Sequence, residues 1–223
     1  MEQTPPLSRR AASEAIGTAL LLAAVVGSGI MGERLAGGNV AVALLANSLA
    51  TGAALVALIL ALAPISGAQL NPVVTLAAAR SGTLAWRDTP FYVAAQVAGA
   101  FAGVAIANLM FELPVFSIAQ KVRGGPAQLL SEALATFGLL LVIWGTARQR
   151  PGAVPAAVGA YIGAAYWFTA STSFANPAVT VARAASDTFA GIRPHDVPGF
   201  IAAQVLGAAL AVAATRWLEK ESR

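Results

Sequence analysis

Six long apolar runs, separated by short polar or glycine- and proline-bearing segments, set the pattern of this chain. They cover Ala11–Met31, Val40–Ala63, Pro90–Met110, Ala127–Ala147, Ala153–Ala170 and Pro198–Trp217. Each is close to the roughly 20 residues that a helix needs to cross a bilayer core of about 30 Å. Two further apolar stretches are too short to cross. PVVTLAAA follows Asn71 and PAVTVA follows Asn176; at about 1.5 Å per residue each reaches about a dozen ångströms. The pattern predicts an all-α membrane protein with six transmembrane helices and two half-helices.

The two halves of the chain repeat each other. SEAIGTALLL around Glu14 answers to SEALATFGLLL around Glu132, Asn71-Pro-Val-Val-Thr to Asn176-Pro-Ala-Val-Thr, and AAQVAGA around Gln96 to AAQVLGA around Gln204. Three spans separate each element from its copy. Three is odd, so the second copy crosses the membrane upside down, the inverted repeat common in transport proteins. This predicts a single domain over residues 11–217, with repeats of about 11–110 and 127–217 and cytoplasmic tails at 1–10 and 218–223.

An asparagine before a proline is a strong helix start, because its side-chain oxygen caps and proline at the first position loses no needed hydrogen bond. Both half-helices are therefore expected to begin at their asparagines and to meet near the midplane. Backbone at that depth that is not helical must be buried in protein or line water. SGAQL and STSFA are expected to be such backbone, with carbonyls along a lumen. The paired helix starts focus positive potential, and Asn71 and Asn176 offer amide donors at the same level.

Composition narrows the reading. Hydrophobic residues make up 57% of the 223 residues and charged residues 11%, against about 25% charged in soluble domains; mean hydropathy is +0.71. The absence of cysteine and the single histidine, His195, leave little scope for metal, thiol or triad chemistry. Neither an enzyme nor a cofactor is expected. The net charge of +4 is read loop by loop rather than as nucleic-acid binding. Arg9, Arg10, Arg80, Arg87, Arg148, Arg150, Arg216, Lys220 and Arg223 fall on one side; Arg34, Lys121, Arg123, Arg183 and Arg193 fall on the other. The excess places both termini in the cytoplasm.

This ordered set resembles the major intrinsic protein family, the aquaporins and aquaglyceroporins. The resemblance rests on Asn71-Pro72-Val73, Asn176-Pro177-Ala178, Glu14, Glu132, Gln96 and Gln204 and covers nearly the whole chain. It implies a pore in each subunit, usually a homotetramer in a lipid bilayer, here the bacterial inner membrane. Selectivity in such pores comes from diameter, lining groups and half-helix dipoles. The resemblance also implies that Glu14 and Glu132 accept backbone N–H bonds before each half-helix. Read from the residues alone, a carboxylate in an apolar helix is also a candidate proton relay. Gln96 and Gln204 are expected to act as polar glue between helices. The GxxxG pairs Gly99/Gly103 and Gly159/Gly163 mark close helix crossings. Trp86, Tyr92, Trp144 and Trp217 read as interfacial anchors, and His195 as solvated.

Two departures stand out. Val73 replaces the usual alanine of the first motif. Val179 stands where most of the family has an arginine at the outer constriction. Counting outward without gaps from the asparagines puts the other constriction positions at Thr51, Ala164 and Ser173. A filter of Thr51, Ala164, Ser173 and Val179 has no ring and no cation, and is expected to be wide. Arg183, one turn further out, is expected to snorkel outward, with a reach back into the constriction as the alternative. The expected function is a passive channel for small uncharged solutes: water with glycerol-like polyols, urea-like molecules or neutral metalloid hydroxides such as arsenous acid. The competing readings are an ordinary water-selective channel, a coupled secondary transporter and a membrane junction protein.

Overall fold

The structure, a computed structural model, describes residues 5–220, with side chains described through Leu218. Among the described residues the α-helices run, in chain order, α1 Leu7–Leu35, α2 Val40–Ser66, α3 Pro72–Ser81, α4 Thr89–Met110, α5 Pro126–Gln149, α6 Val154–Phe168, α7 Pro177–Arg183 and α8 Val197–Lys220. α1, α2, α4, α5 and α8 have the length and hydropathy to cross a membrane. α6 has 15 residues, about 22 Å of helix, and a short 3-10 turn at Pro151–Ala153 extends it.

The predicted tails shrink in the structure. Helix α1 starts at Leu7, immediately after Pro6, and takes in Arg9 and Arg10. Helix α8 continues past Trp217 to Lys220. Glu221, Ser222 and Arg223 lie outside the described residues, as do the first four.

The helix pairs follow the repeat: α1 packs on α2 and α4, α5 packs on α6 and α8, and α2 meets α6 across the halves. Glycine is required where these crossings are tightest. A Cβ on Gly99 or Gly103 would run into the backbone carbonyls of Ala15 and Ala19. At the equivalent place in the second half, a Cβ on Gly207 would strike the Ala133 carbonyl. Gly52 and Gly159 oppose each other in the same way across α2 and α6. Lipid tails are as apolar as leucine, so close backbone approach is what such helices have to gain by packing. Gly99→Val should cost at least the ~1–3 kcal/mol typical of overpacking and lower the thermal midpoint of the detergent-solubilised protein. Gly145→Val, where nothing lies within 4 Å of the added Cβ, should leave it unchanged.

Candidate functional site: a lumen between two half-helices

Each half-helix is capped by the asparagine before it. The Asn71 side-chain oxygen accepts from the Val73 N–H at 3.1 Å. That of Asn176 accepts from Ala178 and Val179 at 3.0 and 3.3 Å. The amide nitrogens then reach across. Asn71 Nδ2 donates to the Ala175 carbonyl at 2.7 Å, and Asn176 Nδ2 donates to the Leu70 carbonyl at 2.8 Å. The two helix starts are thus tied tip to tip. A primary amide carries two N–H groups, so each asparagine keeps one beyond its cross-bond, and both residues line the same cavity.

The backbone before each asparagine is wound alike. Ala68 and Leu70 have φ of +44° and +50°; Ser173 and Ala175 have +50° and +47°. These lie three and one positions before each asparagine. Non-glycine residues in this region cost about 1–3 kcal/mol each unless the surroundings hold them. Buried carboxylates do the holding. Glu14 Oε1 accepts from Gln69 N at 2.9 Å and from the Ser66 hydroxyl at 2.7 Å, while Oε2 accepts from Leu70 N at 2.7 Å. Glu132 accepts from Phe174 N and Ala175 N, each at 2.9 Å. Gln96 Nε2 links Glu14 to Thr75, and Gln204 Nε2 links Glu132 to Thr180. Each threonine hydroxyl in turn donates to the carbonyl of its own asparagine. Glu14, Glu132, Gln96 and Gln204 are all fully buried, and none of them lines the cavity.

The cavity itself, about 110 Å3, runs past both half-helix starts and has room for several waters. Its lining combines apolar residues, Val25, Leu55, Ile59, Leu139, Val158 and Ile162 among them, with the non-helical segments Gly67–Asn71 and Ser173–Asn176. Among the described residues, the carbonyls of Gly67, Ala68, Gln69, Ser173 and Phe174 accept no protein hydrogen bond. Val73 and Pro72 are buried behind Asn71, and Ala178 behind Asn176, with Pro177 half-buried.

Thr51, Ser173 and Val179 line the cavity. Ala164 does not: it is exposed on α6. The lining residues of α6 are Val154, Val158, Ile162 and Tyr166, a four-residue stripe. At 3.6 residues per turn, Ala164 sits some 200° away from Tyr166. Ungapped counting failed because the loop between α6 and α7 does not carry the register of the helix. Tyr166 takes the place beside Thr51, their hydroxyls 3.2 Å apart. The four-residue spacing was the signal that would have found it.

Arg183 is the second correction. It is only 1% exposed and lines the cavity rather than snorkelling outward. Its guanidinium carbon lies 3.4 Å from the Phe174 ring centre. The chain turns back after α7 and presents the Ala190 carbonyl, which accepts from Arg183 Nε. The expectation of a constriction with neither ring nor cation therefore fails, though the position after Ala178 is indeed Val179. A second arginine went unsuspected. Arg123, in the loop between α4 and α5, folds inward. It donates through Nε to the Gly191 carbonyl at 2.8 Å and through Nη1 to the Ser171 carbonyl at 3.0 Å, with its guanidinium carbon 4.9 Å from the same ring. Burial lowers its pKa to about 10.

Asp196 anchors that loop. It accepts from Arg123 N at 2.8 Å and from Arg193 at 2.9 Å. Burial alone would raise its pKa, but the bonds from Arg193, Arg123 N and His195 outweigh it and the net shift is downward. A carboxylate with a depressed folded pKa stabilises above its unfolded value, about 3.9, and the contribution fades as pH falls through the folded one. The protection of the Arg123 N–H against hydrogen exchange, referred to the intrinsic rate at each pH, should therefore fall on acidification below about pH 4, and Asp196→Asn should remove that pH step. His195 is exposed, as expected. Tyr92 is not an interfacial anchor: it is 1% exposed and its hydroxyl donates to the Ser66 carbonyl.

A helical membrane protein with an internal passage between two opposed half-helices is the class that this geometry defines. The chain belongs to the major intrinsic protein family, whose model matches residues 1–172. It is 57% identical over 217 residues to aquaglyceroporin AqpS of Rhizobium meliloti (strain 1021), covering 97% of this chain and 93% of that one. It is 33% identical over 198 residues to aquaporin NIP2-2 of Zea mays, covering 84% of this chain and 65% of that longer protein. In fold it matches the X-ray structure of the aquaglyceroporin from Plasmodium falciparum, with a TM-score of 0.74 over 93% of this chain and 95% of that one at 18% identity.

Proposed function

We propose that this protein is a passive channel passing water and small neutral polyols, with neutral metalloid hydroxides such as arsenous acid as further candidates. The observation that carries the reading is the mixed lining of the lumen. A polyol has a C–H face and a row of hydroxyls; the cavity offers apolar side chains to the first and unpaired carbonyls and asparagine amides to the second. Burial of a hydroxyl without a partner costs about 1–3 kcal/mol in proteins, so a lumen of this kind favours solutes that match it. The relative at 57% identity is named an aquaglyceroporin, which supports the same choice.

Tyr166 and Arg183 favour a second reading, an ordinary water-selective channel narrower than a wide filter would be. Both fill space beside Thr51 and Val179. A coupled transporter is disfavoured, because Glu14 and Glu132 accept bonds on both oxygens and stand back from the lumen. The unit of function is taken as one channel domain over residues 11–217, with both termini cytoplasmic, in a homotetramer in the bacterial inner membrane.

The test is stopped-flow light scattering on proteoliposomes with water, glycerol, urea and arsenous acid. Glycerol entry at least tenfold above protein-free liposomes supports the first reading. Water flux without glycerol entry supports the second, and neither flux contradicts both. In the same assay Asn176→Asp, which replaces an amide donor in the lumen with a carboxylate, should lower water flux several-fold or admit cations. Wild-type behaviour would remove Asn176 from the permeation path.

A further inference from the structure

We infer that the outer end of the lumen holds a binding site for a small singly charged oxyanion, of the size of formate or dihydrogen phosphate, built on the guanidinium of Arg183. The inference rests on the channel reading above. Arg183 is 1% exposed, yet its one hydrogen bond is from Nε to the Ala190 carbonyl. Neither Nη donates to any described residue, and neither belongs to the buried atoms sealed off without a partner. Since the side chain lines the cavity, those donors face the lumen.

The charge around it is only partly offset: Glu132 attracts Arg183 and Arg123 through space but pairs with neither. Arg123 stacks on the same Phe174 ring from 4.9 Å and spends its Nε and Nη1 on carbonyls of the 171 and 191 loops. Lys121 caps the Phe189 carbonyl nearby. No acid pairs with Arg183 or Arg123 side chains among the described residues. The nearest carboxylates are occupied: Glu132 holds Phe174 N, Ala175 N and Gln204, and Asp196 holds Arg193 and the Arg123 backbone. A buried cation is normally paired. Here the Phe174 ring and the Ala190 carbonyl hold the guanidinium, and the place of a paired acid is left for a group from outside the chain.

The fork of a guanidinium matches two oxygens that share one charge. Val179, where an arginine would fill the lumen, leaves the approach open. An anion seated there blocks the path of neutral solutes without crossing the paired amides below.

Water permeability of wild-type proteoliposomes is measured with phosphate, formate or chloride equal on both faces and ionic strength matched. Flux above protein-free liposomes in chloride reports the channel; its fall on exchange for an oxyanion reports the site. Flux should drop roughly twofold at about 10 mM oxyanion, as a dissociation constant of about 10 mM gives. Arg183→Gln should abolish the drop. Inhibition by phosphate alone assigns the site to tetrahedral oxyanions, and by formate alone to carboxylates. Flux insensitive to both anions overturns the inference, as does equal inhibition of wild type and Arg183→Gln. Should Arg183→Gln not fold, calorimetric titration of detergent-solubilised wild type with inorganic phosphate decides: saturable binding supports the site, and no heat beyond dilution overturns it.

Discussion

Glu132→Leu should lower the thermal midpoint of the solubilised protein by roughly 10 °C and abolish water flux. The midpoint follows from the bonds lost. Phe174 N and Ala175 N are left buried without acceptors, at about 1–3 kcal/mol each. A domain of this size loses about 2–4 °C per kcal/mol. Flux fails for a separate reason. Ser173 and Ala175 hold left-handed backbone only while the carboxylate pins the two N–H groups between and beside them. Released, the segment has no reason to keep its carbonyls on the lumen or Ala175 under the Asn71 amide. Glu132→Gln keeps one acceptor oxygen and should fall between wild type and Glu132→Leu. Glu14→Leu should behave likewise, because Glu14 serves Gln69 N and Leu70 N in the first half. A Glu132→Leu protein as stable and as permeable as wild type would refute this role for the buried acids.

Val179→Arg should lower glycerol permeability at least tenfold while leaving water flux within a few-fold of wild type. Val179 is 5% exposed on the lumen beside Thr51, Ser173 and Arg183. An arginine there adds a bulky cation within one turn of Arg183. The two repel, and the added side chain occupies the space a polyol needs more than water does. A tenfold loss is about 1.4 kcal/mol on the barrier, modest for the loss of one hydroxyl-sized gap. Unchanged glycerol entry would show that Val179 does not bound the narrowest part of the lumen.

Most of the fold was legible in the sequence because its signals are local and doubled. Six long apolar runs and two Asn-Pro starts appear with their partners in an inverted repeat, and all become helices with the asparagines as caps. Glu14 and Glu132 were legible through the family resemblance: an acid in an apolar run left a proton relay and a bond to backbone N–H groups both open, and the resemblance favoured the second. The outer cavity was much less so. Ala164 was misplaced because counting from Asn176 crosses an irregular loop, and a two-residue slip turns a helix position to the opposite face. Arg183 was expected to seek water, but the carbonyl of Ala190 and the ring of Phe174 hold it inside. Arg123 comes from a polar connection whose inward fold rests on long-range bonds to Gly191, Ser171 and Asp196, which no local pattern announces. Such positions are set by tertiary contacts, so a motif can mark the lumen's centre without fixing its mouth.

That solutes pass between the two asparagine-capped half-helices can be tested with a single thiol. The chain has no cysteine, so Val179→Cys and Ala164→Cys each introduce one reactive site into an otherwise inert background. Water flux through Val179→Cys should fall towards that of protein-free liposomes on treatment with mercuric chloride and recover with excess thiol, while Ala164→Cys, exposed away from the cavity, should keep its flux. Undiminished flux through a fully mercurated Val179→Cys protein would mean that the passage lies elsewhere.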